Sequence, residues 1–67
     1  MRALIVEDEV ALREQVAARL KDVGYVVDEA GDGEEGLYFA MEYPLDVAVV
    51  DVGLPGMTGI EMVRQLR

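Results

Sequence analysis

Two short aliphatic runs, Ala3-Leu4-Ile5-Val6 and Asp46 to Val50, each stop abruptly at acid: Glu7 and Asp8 after the first, Asp51 after the second. Runs this short, continuous in apolar residues and rich in β-branched ones, read as strands buried on both faces rather than as helices. A strand buried on both faces needs a layer above and a layer below it. That requirement narrows the fold more than any other feature of the chain.

The segments between the runs supply those layers. Glu9 to Val23 reads as a helix, with Leu12, Val16, Leu20 and Val23 making one apolar stripe and Arg13, Glu14, Lys21 and Asp22 lying off it. Glu9 and Arg13 are spaced for a helical ion pair worth about 0.3 kcal/mol. Gly24 stops this helix, as glycine does at a left-handed C′ position. Tyr25 to Ala30 starts as a strand and becomes more polar, which suits a sheet edge. Asp32 followed by Glu35 is a capping-box pattern that opens a helix near Gly33, with Leu37, Ala40 and Met41 inward. Pro44 disfavours helical geometry at Tyr43 and ends it. After Asp51 come a loop, Val52 to Met57, and a second capping box, Thr58 with Glu61. That box opens a third helix carrying Ile60, Val63 and Leu66 inward. The order is βαβαβα, an α/β fold with a parallel sheet, helices on its faces and right-handed crossovers.

Composition restricts what such a fold can do. The chain of 67 residues holds 6 basic and 14 acidic side chains, a formal net charge of −8. That balance disfavours contact with nucleic acid phosphates or an anionic membrane surface. There is no cysteine and no histidine, so thiolate and imidazole ligation are excluded. Any metal must bind oxygen, which favours magnesium, calcium or manganese. No targeting signal and no run long enough to span a bilayer is visible, and a soluble cytoplasmic protein is the default expectation. The chain is also small for its 52% hydrophobic content, so it is expected either to associate or to belong to a larger fold.

The acids Glu7, Asp8 and Asp51 carry the chemistry. In a parallel sheet all strand carboxyl ends share one edge, and open α/β sheets bind ligands in the crevice there. If the first and third strands are neighbours, the three acids converge. Clustered carboxylates repel and raise one another's pKa, and a hard divalent cation relieves them. Each acid also has an ordinary structural reading. Asp8 serves equally as a helix N-cap, Glu7 as a solvated neighbour, and Asp51 as the cap of a turn. Other motifs carry less. Gly53, Gly56 and Gly59 lack the dinucleotide-binding spacing and read as turn glycines. Asp28 to Gly33 hints at a calcium loop, but Ala30 and Phe39 occupy ligand positions. Arg13 and Arg19 read as part of a solvated face.

Leu4-Ile5-Val6-Glu7-Asp8-Glu9 and Asp51-Val52-Gly53-Leu54-Pro55-Gly56-Met57-Thr58-Gly59, at this separation, resemble the receiver domain of bacterial two-component response regulators. The OmpR/PhoP-like transcription-factor branch is the most similar, and the resemblance covers the whole chain. It implies a flavodoxin-like (CheY-like) three-layer fold with sheet order 2-1-3 in this stretch. It implies that Asp51 is the phospho-acceptor, which attacks phosphohistidine on a sensor histidine kinase and becomes an acyl phosphate. By the same resemblance Asp8 is a direct magnesium ligand, with manganese as an alternative ion. Glu7 reaches the metal through water, and the Gly53 backbone carbonyl is a further ligand. The resemblance implies a phospho-acceptor rather than an enzyme, within a domain that promotes its own phosphorylation and dephosphorylation.

The family domain is about twice this length, so residues 1–67 correspond to its N-terminal half. The family's Ser/Thr and Lys positions, its output face and any DNA-binding effector domain fall outside the sequence. The third strand would then present Val47 to Val50 as an unpaired edge. A second copy pairing there would give a homodimer sheet in the order 2-1-3-3′-1′-2′. Two rivals follow. A haloacid-dehalogenase-type phosphatase wants a second Asp two residues after the nucleophile, where Gly53 stands. The other rival is a truncated module without phosphotransfer competence that only self-associates.

Overall fold

The computed structural model describes residues 1–51. Its elements are β1 (Arg2–Val6), α1 (Val10–Asp22), β2 (Val26–Ala30), α2 (Gly33–Glu42) and β3 (Val47–Val50). The strands form one parallel sheet in the order β2-β1-β3, the order that the resemblance implies. The expected loop from Val52, the third helix from Thr58 and the Gly53 carbonyl lie outside the described residues.

β1 is the central strand of the described sheet: the chain passes from β1 through α1 to β2 on one side, then from β2 through α2 past β1 to β3 on the other. Right-handed crossovers then put α1 and α2 on opposite faces. The alternation of β1 serves both. Leu4 and Val6, fully buried with Ala30, pack against Leu37, Phe39 and Ala40 of α2 and against Leu45 and Val50. Ala3 and Ile5 point to the other face, on which Ala17 of α1 is buried. Ala3 to Val6 is thus buried on both sides, as a contiguous aliphatic run demands.

The helix ends follow the local chemistry. Glu9 is the N-cap of α1 without a side-chain cap bond, and Val23 is its C-cap. The Gly24 N–H donates to the Lys21 carbonyl and the Tyr25 N–H to the Leu20 carbonyl, both at 3.0 Å. This paired closure is a Schellman motif, and Gly24 sits at φ +100° within it. Asp32 caps α2 by accepting from the Glu35 N–H at 2.8 Å. Glu35 reaches back one residue further than a standard capping box, to the Gly31 N–H at 3.1 Å.

Three expectations about side chains are corrected. The buried stripe of α1 is rotated toward Ala17, Val16 and Leu20, leaving Leu12 and Val23 exposed. The small Ala17 lets the helix approach the sheet, and the Arg13 head is held at the sheet as described below. In α2, Phe39 turns inward in place of Met41, which is exposed. The Phe39 ring stacks near Tyr43, with centroids 6.3 Å apart. The expected Glu9–Arg13 pair gives way to Arg13–Glu29.

The amino edge of the sheet is closed by Arg2. Its Nε donates to Asp28 Oδ2 at 2.8 Å, its guanidinium lies 4.1 Å from the Tyr43 ring centroid, and its backbone N–H donates to Asp46 Oδ2 at 2.6 Å. The hydrogen bond to Asp28 is the main reason the Arg2 pKa is raised. One residue so joins β1, β2 and the turn into β3.

Replacing Gly24 by alanine forces a Cβ into a backbone region that disfavours it. Gly24→Ala is expected to lower unfolding free energy by about 1 kcal/mol. Loss of the Asp32 cap in Asp32→Ala is expected to cost about the same. Urea titration followed by circular dichroism checks both.

Candidate acidic site

The site is assembled by the parallel ladder. β1 and β3 pair in the register Ala3↔Val47 through Val6↔Val50. The ladder runs one residue past each strand: the Glu7 N–H donates to the Ala30 carbonyl at 3.0 Å, and the Asp51 N–H to the Val6 carbonyl at 2.9 Å. Glu7 and Asp51 therefore leave the sheet side by side at its carboxyl edge, with Asp8 at the start of the turn into α1. The structure brings together Glu7, Asp8 and Asp51, each offering a carboxylate oxygen within 4.8 Å of the others'. Glu7 and Asp51 are half-buried and Asp8 is exposed.

The ordinary readings of Asp8 and Glu7 do not describe the turn. Asp8 is not the N-cap of α1, because Glu9 is. Glu7 is not simply solvated: its Oε1 accepts the Glu9 N–H at 3.1 Å. That hydrogen bond favours the ionised carboxylate. Desolvation, the hydrogen bond shared with Asp8 and the charges of Asp51 and Asp8 outweigh it and raise the Glu7 carboxyl above its ordinary pKa.

The donor set is all oxygen, crowded and anionic. It suits a hard cation such as magnesium, which takes few carboxylates and retains water. An anionic cluster of this kind at the carboxyl edge of a parallel sheet is also where open α/β folds place their ligands.

Sequence reasoning set Arg13 aside as part of a solvated face. The structure instead turns it inward. Its Nη1 donates to the Glu7 carbonyl at 2.9 Å, and its Nε lies 3.6 Å from Glu29 Oε1. The available signal was its position three residues before Val16 and four before Ala17, on the helix side that meets the sheet.

Fold and site together define a parallel α/β module of the doubly wound type with an acid cluster at the strand carboxyl ends. Residues 3–67 match the response regulator receiver domain family, and the chain belongs to that family, the phospho-accepting modules of two-component signalling. The two-component response regulator PhoP of Pseudomonas aeruginosa is 51% identical over 67 residues, which is all of this chain and 30% of that protein. The chain thus spans under a third of the length of the curated relatives it matches. The Thermotoga maritima response regulator TrrA, solved in complex with Mg(2+)-BeF, aligns with a TM-score of 0.92 at 35% identity, covering 98% of this chain and 57% of that one. A co-crystal of the Saccharomyces cerevisiae histidine phosphotransfer protein Ypd1 with the receiver domain of its downstream response regulator Ssk1 holds a chain that aligns with a TM-score of 0.94. That match has 30% identity and covers 100% of this chain and 46% of that one. Among the described residues no helix is long and apolar enough to cross a membrane.

The raised Glu7 pKa has a definite consequence for stability. A carboxyl that holds its proton more tightly when folded contributes stability in full below its unfolded pKa, and that contribution is lost as pH rises through the folded value. In metal-free buffer the wild-type chain is therefore expected to lose stability relative to Glu7→Gln as pH is raised from the ordinary glutamate range to neutrality. Thermal melts of both proteins at stepped pH measure this, and parallel curves would refute it.

Proposed function

We propose that Asp51 is the phospho-acceptor of a PhoP-like response regulator, receiving a phosphoryl group from phosphohistidine on a sensor kinase or phosphotransfer protein. The observation that carries the reading is the convergence of Glu7, Asp8 and Asp51 at the carboxyl edge, with their oxygens within 4.8 Å of one another. Family membership and the Mg(2+)-BeF complex of TrrA support it, as does the pairing of Ypd1 with a receiver.

In the proposed reaction an Asp51 carboxylate oxygen attacks phosphorus in line. The phosphorus–nitrogen bond of the phosphohistidine breaks, its electron pair returns to the imidazole, and an acyl phosphate forms on Asp51. The half-buried setting of Asp51 limits the water that competes for the phosphoryl group. Its backbone N–H, tied to the Val6 carbonyl, holds the nucleophile at the end of β3. Asp8, Asp51 and the Gly53 carbonyl would hold a magnesium or manganese ion, with Glu7 beside them. When bound, that ion supplies positive charge against the phosphoryl oxygens and the crowded carboxylates. The chain acts as a phospho-acceptor rather than as a conventional enzyme, within a domain that promotes its own phosphorylation and dephosphorylation. In this reading residues 1–67 form the N-terminal half of the receiver in a cytoplasmic regulator, and DNA binding belongs to an effector domain outside them.

Incubation of a full-length receiver that carries residues 1–67 with acetyl phosphate and magnesium, followed by intact-mass measurement, is expected to add one phosphoryl group, with far weaker labelling of residues 1–67 alone, which do not include the family's Lys position. The gain should be absent from Asp51→Asn and strongly reduced in Asp8→Asn. Labelling that persists in Asp51→Asn would place the acceptor elsewhere.

A second reading, pairing of β3 with a second copy, is favoured by one observation. Among the described residues β3 has β1 on one side and no strand on the other, and Val47 and Val49 are exposed. Sedimentation of the chain across a concentration series is then expected to show a monomer–dimer equilibrium. A purely monomeric profile at high concentration would remove this reading.

A further inference from the structure

We propose that Arg13 is a positioning residue for the acid site: its guanidinium, seated against Glu29 and Gly31, holds the Glu7 carbonyl and so sets the backbone path that brings Glu7 and Asp8 to Asp51. The inference rests on the reading of Glu7, Asp8 and Asp51 as a cation site.

The need for such a residue follows from the ladder. Glu7 is the last residue of β1's path to bond β2, through its N–H to the Ala30 carbonyl. The neighbouring chain then turns away at Gly31, whose N–H goes to Glu35 Oε1. The Glu7 carbonyl lies where the sheet no longer supplies donors, yet the Glu7–Asp8 peptide must be fixed if two carboxylates are to meet a third. Arg13 supplies the donor. Side chains on a helix lean toward its amino end, so Arg13 on the first turn of α1 reaches back to the Glu7 carbonyl, where Nη1 donates at 2.9 Å. A bond from a charged donor is stronger than a neutral one.

The guanidinium has a built seat. Its Nε is buried and makes no hydrogen bond, with Glu29 Oε1 at 3.6 Å as an ion-pair partner beyond hydrogen-bond length. Gly31 forms the other side. A Cβ added there would stand 3.3 Å from Nη1, tighter than ordinary contact. Gly31 does not have the positive φ that demands glycine, unlike Gly24. What glycine provides at position 31 is space, and the guanidinium occupies it. Three segments (α1, the end of β2 and the turn after β1) thus converge on one side chain that touches the backbone of the site.

The test is magnesium affinity by titration calorimetry for wild type, Arg13→Met, Arg13→Lys and Gly31→Ala, with thermal midpoints of each in excess chelator. Arg13→Met is expected to weaken magnesium binding about tenfold, the usual scale for an outer partner of a metal site. Arg13→Lys, which can donate one bond to the carbonyl, should recover most of that loss. Gly31→Ala should weaken binding by a smaller factor while leaving the metal-free midpoint near wild type. Unchanged affinity in Arg13→Met, with the wild type binding normally, would overturn the positioning role and leave the cation site standing. If Arg13→Met does not fold, unchanged affinity in Gly31→Ala overturns it instead. A wild-type protein that binds no magnesium would overturn the cation site and the positioning role together.

Discussion

The register between β1 and β3 is the constraint on which the rest depends. Val6 lies opposite Val50, and the Asp51 N–H extends that ladder by one bond to the Val6 carbonyl. Side chains alternate along a strand, so a slip of one residue would send Asp51 to the opposite face and separate it from Glu7. The register is held by burial rather than by the acids. Leu4 and Val6 must face α2, and Ala3 and Ile5 must face α1, for the sheet to be covered on both sides. The hydrophobic core thereby fixes the position of the acidic site, although no site residue belongs to the core.

The two ends of the sheet treat charge in opposite ways. At the amino edge Arg2 pairs with Asp28, lies over Tyr43 and is tied through its backbone to Asp46. Opposite charges there tie three segments together. At the carboxyl edge like charges are forced into proximity, and the Glu7 carboxyl responds with a raised pKa. Crowding of carboxylates costs stability in the absence of a cation, and functional sites are where folds tolerate such a cost. The arrangement leaves a place that gains from positive charge, which is what phosphoryl transfer to a carboxylate needs.

Much of this was legible in the chain. The aliphatic runs ending at Glu7 and Asp51 gave strands and site at once, because burial on both faces leaves a simple composition. Gly24 and Asp32 marked helix ends through local backbone chemistry that requires no distant partner. The side chains read wrongly were those whose surroundings come from afar. Leu12 and Met41 looked inward by spacing but are exposed, and Phe39 packs on the core from the next position along α2. Helical periodicity locates a stripe only to within a residue or so, and the neighbouring strand decides which side chain fills the gap. Arg13 was misread for the same reason: its partners Glu7 and Glu29 lie in separate strand-end segments, and nothing local announces them.

The sequence by itself determined the alternation of strands and helices, the parallel sheet, the oxygen-only character of any metal site and the identity of the three acids. These follow from composition and from short-range patterns that each segment carries alone. The tertiary structure decided that β1 stands between β2 and β3, and so that Glu7, Asp8 and Asp51 meet within 4.8 Å. It also decided which face of each helix is buried and that Arg13 holds the Glu7 carbonyl. Those are questions of which segments become neighbours. Neighbours in space are chosen by burying the whole apolar surface at once, a condition no single segment can express.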